Sequence, residues 1–341
     1  MHVCLTLTRC VRLCSHWLQK YIEKIRHDYF QNLGNKNKAT RQLGTAMYLI
    51  DKLALRVGNE KDTSEEADTV GCCSLRVEHL TLTPPRRVGF DFLGKDSMRY
   101  LNEVDVDERV FDRLREFVAG KAKTDDVFDE ISTSLLNQHL GQLMAGLTAK
   151  VFRTYNASIT LQAELFGEDE VDTSELVAKK VLYYNKANRE VAILCNHQRS
   201  VPKGHGAQMD KLDQRLKAVE DENAALKDHL ASLTGKKRKG AAKSEESEEL
   251  AAKRAKWSND PKAIQAKLEK AEVRLQNLVA QKQTKDNSKT VALGTSKINY
   301  MDPRITVAWC KATETPIEKV FNKSLLSKFP WAMETKSSWR F

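Results

Sequence analysis

Between residues 206 and 286 the residues Met209, Leu212, Leu216, Val219, Leu226, Leu230 and Leu233 step by three and four alternately, with Asn223 the polar member of the series. This spacing belongs to a helix that packs along one seam. Ile264, Leu268, Ala271, Leu275 and Leu278 repeat it after a Lys-, Glu- and Ser-rich connector over 234–259, which holds Gly235, Gly240 and the run KKRK at 236–239. Two short seams joined by a polar connector fold back most simply as an antiparallel pair, so a coiled-coil linker is expected over 202–288.

The flanking residues read as a mostly helical core. Over 38–57, Leu43, Ala46, Met47, Ile50, Leu53, Ala54 and Val57 fall at helical spacing and Gly58 follows as a stop, which puts Arg56 in the last turn of an amphipathic helix. Residues 74–82 and 88–100 are rich in Val, Leu, Phe and Tyr, with Thr83-Pro84-Pro85 and Gly94-Lys95-Asp96 as turn signals. A small antiparallel sheet is expected there, with Lys95 at a hairpin tip. Helical patterning returns over 108–166 and, after the acidic stretch 167–173, over 188–196. Asp302 and Pro303 form an N-cap and N1 pair with Tyr300 just ahead of them, and Thr315, Pro316 and Glu318 read as a capping box. Phe329, Trp331, Met333 and Trp339 are expected to pack onto the core. The predicted fold class is mainly α with a small antiparallel β-sheet (α+β). Its divisions are an atypical N-terminal segment (1–17), a core (18–201), the linker (202–288) and a C-terminal domain (289–341).

Lys and Arg number 56 against 46 Asp and Glu, a net charge of +10, which favours a polyanionic partner: nucleic acid first, an anionic membrane second. No stretch approaches the roughly 20 apolar residues of a membrane span. The seven cysteines are odd in number and lack paired spacing near histidines, so free thiols are expected rather than a disulfide framework or a zinc site. The first 20 residues carry Arg9, Arg12 and Lys20 and no acid, a pattern shared by organelle transit peptides; a mis-set start or a truncated sequence accounts for it equally well.

Six stretches, in order, carry a resemblance: DKLALRVGNEK (51–61), ADTVGCCSLRVEH (67–79), FDFLGKDSMRY (90–100), GLTAKVFRTYNASIT (146–160), ILCNHQR (193–199) and GTSKINYMDPRITVAWCK (294–311). They are similar to the catalytic region of eukaryotic type IB DNA topoisomerases, and the similarity runs from about Leu18 to the C-terminus. Carried over motif by motif, the resemblance implies that Tyr300 is the nucleophile and that Arg56, Lys95, Arg153 and His197 handle the phosphate. It further implies DNA contacts for Asp96, Lys150, Thr295 and Asn299.

The residue types suit that chemistry. A free phenol titrates near about pH 10, so nearby cations must favour its oxyanion during attack on phosphorus, and Arg153 is the expected neighbour. Guanidinium forks suit the non-bridging oxygens of a pentavalent transition state, with His197 as a third donor. Lys95 on its hairpin tip is the expected general acid for the leaving 5′-oxygen. A tyrosyl ester keeps the energy of the broken phosphodiester, so no ATP or other cofactor is implied. The near match to a phosphate-binding loop over 89–95 ends in Asp96 rather than Ser or Thr.

Tyrosine recombinases share the implied fold and most of the site, but commonly show His-x-x-Arg where this chain has Lys150-Val151-Phe152-Arg153, and they lack a long coiled coil ahead of the nucleophile. Full-length nuclear members of the resembled family carry an N-terminal tail and a DNA-closing cap ahead of the stretch at Leu18. The alternative to a relaxing enzyme is therefore a DNA-binding fragment that does not turn over, or one completed by a separately supplied cap. The expected partner is supercoiled double-stranded DNA, with no membrane, and the expected state is a monomer. The nucleus is the expected location, with a mitochondrion or other organelle as the alternative; the KKRK run serves equally as a nuclear address or as solvated surface.

Overall fold

The computed structural model describes residues 2–58, 69–167, 172–235 and 248–341. Helices α1 (His2–Leu18), α2 (Ile22–Asn32) and α3 (Lys38–Leu53) lead into strands β1 (Leu80–Thr83), β2 (Arg87–Leu93) and β3 (Arg99–Asp105). Then come α4 (Glu108–Val118), α5 (Thr133–Leu143), α6 (Ala149–Leu165), α7 (Val177–Leu194) and α8 (His205–Leu233). Helices α9 (Glu248–Arg254), α10 (Pro261–Asn287), α11 (Leu293–Asn299), α12 (Pro303–Ala312) and α13 (Lys323–Lys328) complete the chain. The expected class, mainly helical with one small antiparallel sheet, is what the chain adopts. The KKRK run at 236–239 and the centre of the acidic stretch, 168–171, lie outside the described residues.

One apolar cluster runs from Leu18 to Phe341 and joins the N-terminal helices, the sheet and the C-terminal segment through Tyr29, Phe90, Phe117, Phe152, Trp309 and Phe329. Helix α3 lies at its centre, capped by the Asn37 side chain, which accepts from Thr40 N at 3.1 Å. It is shorter than its periodicity implies. Ala54 turns left-handed at φ 49, and its carbonyl accepts from Arg153 of α6, so Arg56 lies beyond the helix rather than in its last turn.

The sheet has the order β1-β2-β3, and alternation along β2 buries Val88, Phe90 and Phe92. Residues 74–79 are not strand. They fall largely in two 3₁₀ turns, Cys72–Ser74 and Val77–His79, because their backbone pairs with 123–127 instead: Val77 N donates to Asp125 O and Val127 N donates to Leu75 O at 2.7 Å. Between β2 and β3 the tip is the short turn Lys95–Ser97, closed by Gly94 N donating to Met98 O at 2.8 Å.

Helix α7 begins at Val177 rather than near Asn188. Lys180 is buried in it, its ammonium donating to Thr173 O and Thr313 O, so a residue that reads as surface points inward with its hydrogen bonds met. The Thr315 capping box does not form: Thr315 Oγ1 is hydrogen-bonded to Thr313 Oγ1, and the following turn, Ile317–Lys319, has no side-chain cap.

Helices α8 and α10 pack antiparallel. Leu212, Leu216 and Val219 meet Leu278, while Leu226 meets Ile264, Leu268, Ala271 and Trp257. Lys227 pairs with Glu272 at 2.8 Å and Lys282 with Asp213 along the edges. At the root of this pair Gln198 and Val291 form a β-bridge, and Ala292 N donates to His197 O at 2.8 Å. The chain thus leaves and re-enters the core at adjacent points, and residues 197 and 292 remain neighbours across the inserted helices.

Candidate active site

Tyr300 ends α11, its N–H donating to Ser296 O at 2.9 Å, and stands three residues ahead of the first residue of α12. That helix starts sharply because Asp302 caps Arg304 N at 2.9 Å and Pro303 fills the first helical position. The tyrosine is 7 % exposed, so its hydroxyl is presented within the fold and not on a free side chain.

Arg56 donates from Nη1 to the Tyr300 hydroxyl at 3.0 Å. Arg153 lies with its guanidinium carbon 5.1 Å from the Tyr300 ring centre. Arg153 was the expected neighbour of the phenol oxygen, but that hydrogen bond comes from Arg56; the terminal nitrogens of Arg153 donate to Ala54 O and to Cys195 O, the ends of α3 and α7. This ties three segments of the site to one guanidinium.

Arg56 is held by its own backbone. Its carbonyl accepts from Cys72 N and that of Val57 accepts from Cys73 N, both at 2.7 Å. Gly58, at φ +79, meets Gly71 so closely that a Cβ on Gly71 would stand 2.3 Å from Gly58 Cα. Two glycines therefore let the segment carrying Arg56 lie against the turn at 72–74.

His197 does not belong to the helix before it. Asn196 turns left-handed at φ 51, Asn196 N donates to Ile193 O and His197 N donates to Ala192 O at 2.8 Å, a Schellman ending of α7. The imidazole is thereby turned onto Tyr300, with ring centres 5.2 Å apart and 26° between planes. Its Nδ1 is hydrogen-bonded to Ser296 Oγ at 2.7 Å. Burial first, and then the charges of Arg153 and Arg56, push its pKa down to about 3, so the ring is neutral near pH 7. His197 Nε2 and Arg153 Nε are buried with no hydrogen-bond partner among the described residues, which leaves two polar atoms beside Tyr300 available to a ligand.

Arg56, Lys95, Arg153, His197 and Thr295 line one cleft of about 140 Å³. Lys95 reaches it exposed, from the tip between β2 and β3. Asn299 lines the adjoining cleft with Thr295, Arg199, Asn322 and Ser324. Lys150 is exposed on the first turn of α6 and is not among the residues lining either cleft. The backbone of Asp96 lies in the Lys95 turn; its side chain is outside the described part. Ser296 was missed in the sequence, although it precedes Tyr300 by four residues in GTSKINY and so shares its side of a helix.

The arrangement puts two guanidiniums and an imidazole around one phenol, with the Lys95 ammonium on the cleft that those three groups line. It can bind a phosphate diester and stabilise added charge on its oxygens.

Comparison with known proteins gives the family. Residues 15–230 match the eukaryotic DNA topoisomerase I catalytic core, and residues 272–341 match the C-terminal topoisomerase domain. DNA topoisomerase 1 alpha of Arabidopsis thaliana is 50% identical over 95% of this chain and 34% of its own length. The corresponding figures for DNA topoisomerase 1 of Caenorhabditis elegans are 48%, 94% and 38%, and for that of Homo sapiens 47%, 93% and 40%. The chain thus spans between a third and a half of the length of these curated relatives. With a catalytic-core match over most of its residues, the chain belongs to the eukaryotic DNA topoisomerase I family.

Proposed function

We propose that the chain performs type IB topoisomerase chemistry on double-stranded DNA. The Tyr300 oxygen attacks a backbone phosphorus, a bond forms between that oxygen and phosphorus, and the bond from phosphorus to the 5′-oxygen breaks. The product is a 3′-phosphotyrosyl enzyme and a free 5′-hydroxyl. After rotation of the duplex about the intact strand, the 5′-hydroxyl reverses the step, relaxing supercoils without ATP.

The observation that carries this reading is the convergence of Arg56, Arg153 and His197 on the Tyr300 ring and hydroxyl, with two buried nitrogens unpaired. Arg56 and Arg153 clamp the non-bridging oxygens, and His197 Nε2 supplies a third hydrogen bond. Arg56, already donating to the Tyr300 hydroxyl, holds that oxygen for attack, and the phenolic proton passes to solvent as the bond to phosphorus forms. Lys95 delivers a proton to the departing 5′-oxygen. Asp96, Thr295 and Asn299 contact the DNA around the cleft, Lys150 contacts it further out, and most of these contacts go to backbone rather than to base edges.

The divisions 18–201, 202–288 and 289–341 act in this reading as core, coiled-coil linker and nucleophile-bearing domain, and the protein acts as a monomer. Family membership and the KKRK run support the nucleus as the place of action. A separately supplied cap region would add phosphate contacts, and binding without it should weaken steeply as salt rises.

The test is relaxation of supercoiled plasmid at low salt without ATP, set against Tyr300→Phe, with covalent complexes trapped by denaturant. Relaxation and a DNA adduct that both vanish in the variant are expected. An adduct without relaxation would restrict the function to cleavage and rejoining. Tight binding with no adduct on any duplex would replace the enzyme reading with that of a DNA-binding fragment.

A further inference from the structure

We infer that Arg12 of α1 is a positioning residue for Tyr300, its guanidinium bridging the two sides of the turn that presents the hydroxyl. The inference rests on the role proposed for Tyr300.

The turn needs outside support. Helix α11 has seven residues, and α12 cannot continue its ladder because Pro303 lacks an N–H. Ser296 O accepts from both Tyr300 N and Met301 N, at 2.9 and 3.0 Å, which leaves later carbonyls of the helix end to find other donors. Arg12 serves one of these carbonyls and another just past the helix. Its Nη2 donates to Ile298 O and its Nε donates to Met301 O, both at 3.0 Å, so one planar group spans the residues on either side of Tyr300.

The guanidinium is 1 % exposed, and the Phe329 ring covers it with its centre 4.6 Å from the guanidinium carbon. Burial lowers its pKa to about 10 while the Asp302 carboxylate acts in the opposite sense, so the group remains charged near pH 7. A buried cation is poor evidence for stability, since an apolar side chain of similar volume often serves as well. What an apolar side chain or an ammonium lacks is two donors at fixed spacing in one plane.

Helix α1 is itself well seated. It packs along α6, the helix of Arg153, and His16 lies against Trp339 and Phe341 with ring centres 5.7 and 5.5 Å away. Gln162 of α6 is hydrogen-bonded to the backbone of Phe341 through both its side-chain oxygen and its nitrogen. Arg12 therefore connects the Tyr300 turn to a helix packed along α6, which carries Arg153.

The test uses the full chain with Arg12→Lys and, because it fills the same space without a fork, Arg12→Met. Backbone amide exchange and single-turnover cleavage of a duplex are measured, with affinity read on a Tyr300→Phe background. Exchange at residues 300–302 is expected to rise about tenfold in both variants while the interior of α6 keeps its protection. Cleavage at saturating DNA should fall about 10²-fold, with affinity changed less than twofold, as for a misplaced nucleophile. Unchanged exchange at 300–302 overturns the inference, as does a rise spread evenly over α6 and α12. Equal losses of cleavage and affinity would also overturn it. If the parent chain forms no adduct, the proposed function fails, and the exchange measurement still decides the role of Arg12.

Discussion

His197 Nδ1 and Ser296 Oγ are 2.7 Å apart, and through this contact the end of α7 reads the helix that carries Tyr300. A serine hydroxyl that donates to Nδ1 selects the neutral tautomer with its proton on Nε2, the one able to donate to a phosphate oxygen. Ser296→Ala removes that selection and leaves a buried nitrogen unpaired. Single-turnover cleavage is expected to fall about tenfold, since one donor among several is weakened rather than lost. A rate within twofold of the parent would mean that the tautomer is set elsewhere.

The low pKa of His197 has a signed consequence for stability. An unfolded histidine takes up a proton near its ordinary 6.5, whereas His197 resists until about 3, so between these values the unfolded chain binds more protons. Stability from this group is therefore lost as pH falls from 6.5 towards 3, and is unaffected above that window. His197→Gln should melt with a shallower acid limb than the parent. In an imidazole NMR titration His197 should stay neutral below pH 5, and its midpoint should move upward with bound duplex, because a phosphate favours the cation. A free-protein midpoint near 6.5 would contradict the buried environment beside the two arginines.

Gly71→Ala tests how Arg56 is held. The new methyl would meet Gly58 Cα and N at 2.3 Å and Arg56 O at 2.9 Å, all backbone, so the segment 56–58 must move away. A loss of about 1–3 kcal/mol in folding stability is expected from such overpacking. Cleavage should drop further, by about 10²-fold on folded protein, because the Arg56 guanidinium is displaced from the Tyr300 hydroxyl. Crystals of the variant would show the displacement directly; an Arg56 to Tyr300 distance still near 3.0 Å would refute the argument.

The parts of this fold that were legible in the sequence are those governed by short periodicities. The seam from Met209 to Leu233 and its return from Ile264 to Leu278 gave the antiparallel pair, because spacing alone decides which face of each helix is buried. Lys95 was found at its turn for a similar reason: Gly94 and the flanking alternation mark a tip. Helix ends were not legible where a non-glycine residue turns left-handed. Ala54 cuts α3 short and Asn196 releases His197 from α7; the Arg153 bonds to Ala54 O and Cys195 O hold both ends, and at Asn196 the backbone bonds to Ile193 O and Ala192 O act with them. Arg12 was legible only as a charge, since the carbonyls it serves lie nearly 300 residues away. The grouping of Arg56, Arg153 and His197 about Tyr300, with Lys95 on the cleft they line, was expected from motif resemblance, which no local rule of spacing would have supplied.

Lys95 makes the sharpest chemical prediction, because its proposed task depends on the leaving atom. A departing alkoxide is a strong base and needs a proton as the bond to phosphorus breaks, whereas a thiolate is stable near neutrality, with a conjugate acid near about 8.5 for a simple thiol. Lys95→Ala should therefore slow cleavage of an ordinary duplex by about 10²- to 10⁴-fold, the usual range for a lost general acid. On a duplex whose scissile 5′-oxygen is replaced by sulfur, the same variant should cleave at nearly the parental rate. Arg56→Ala should stay slow on both duplexes, because its proposed clamp acts on oxygens that the replacement leaves in place. Equal defects for Lys95→Ala on both duplexes would assign Lys95 to charge stabilisation beside the arginines. Its exposed seat on the hairpin tip, on the cleft shared with Arg56 and His197, is the position from which a flexible ammonium can follow a leaving group.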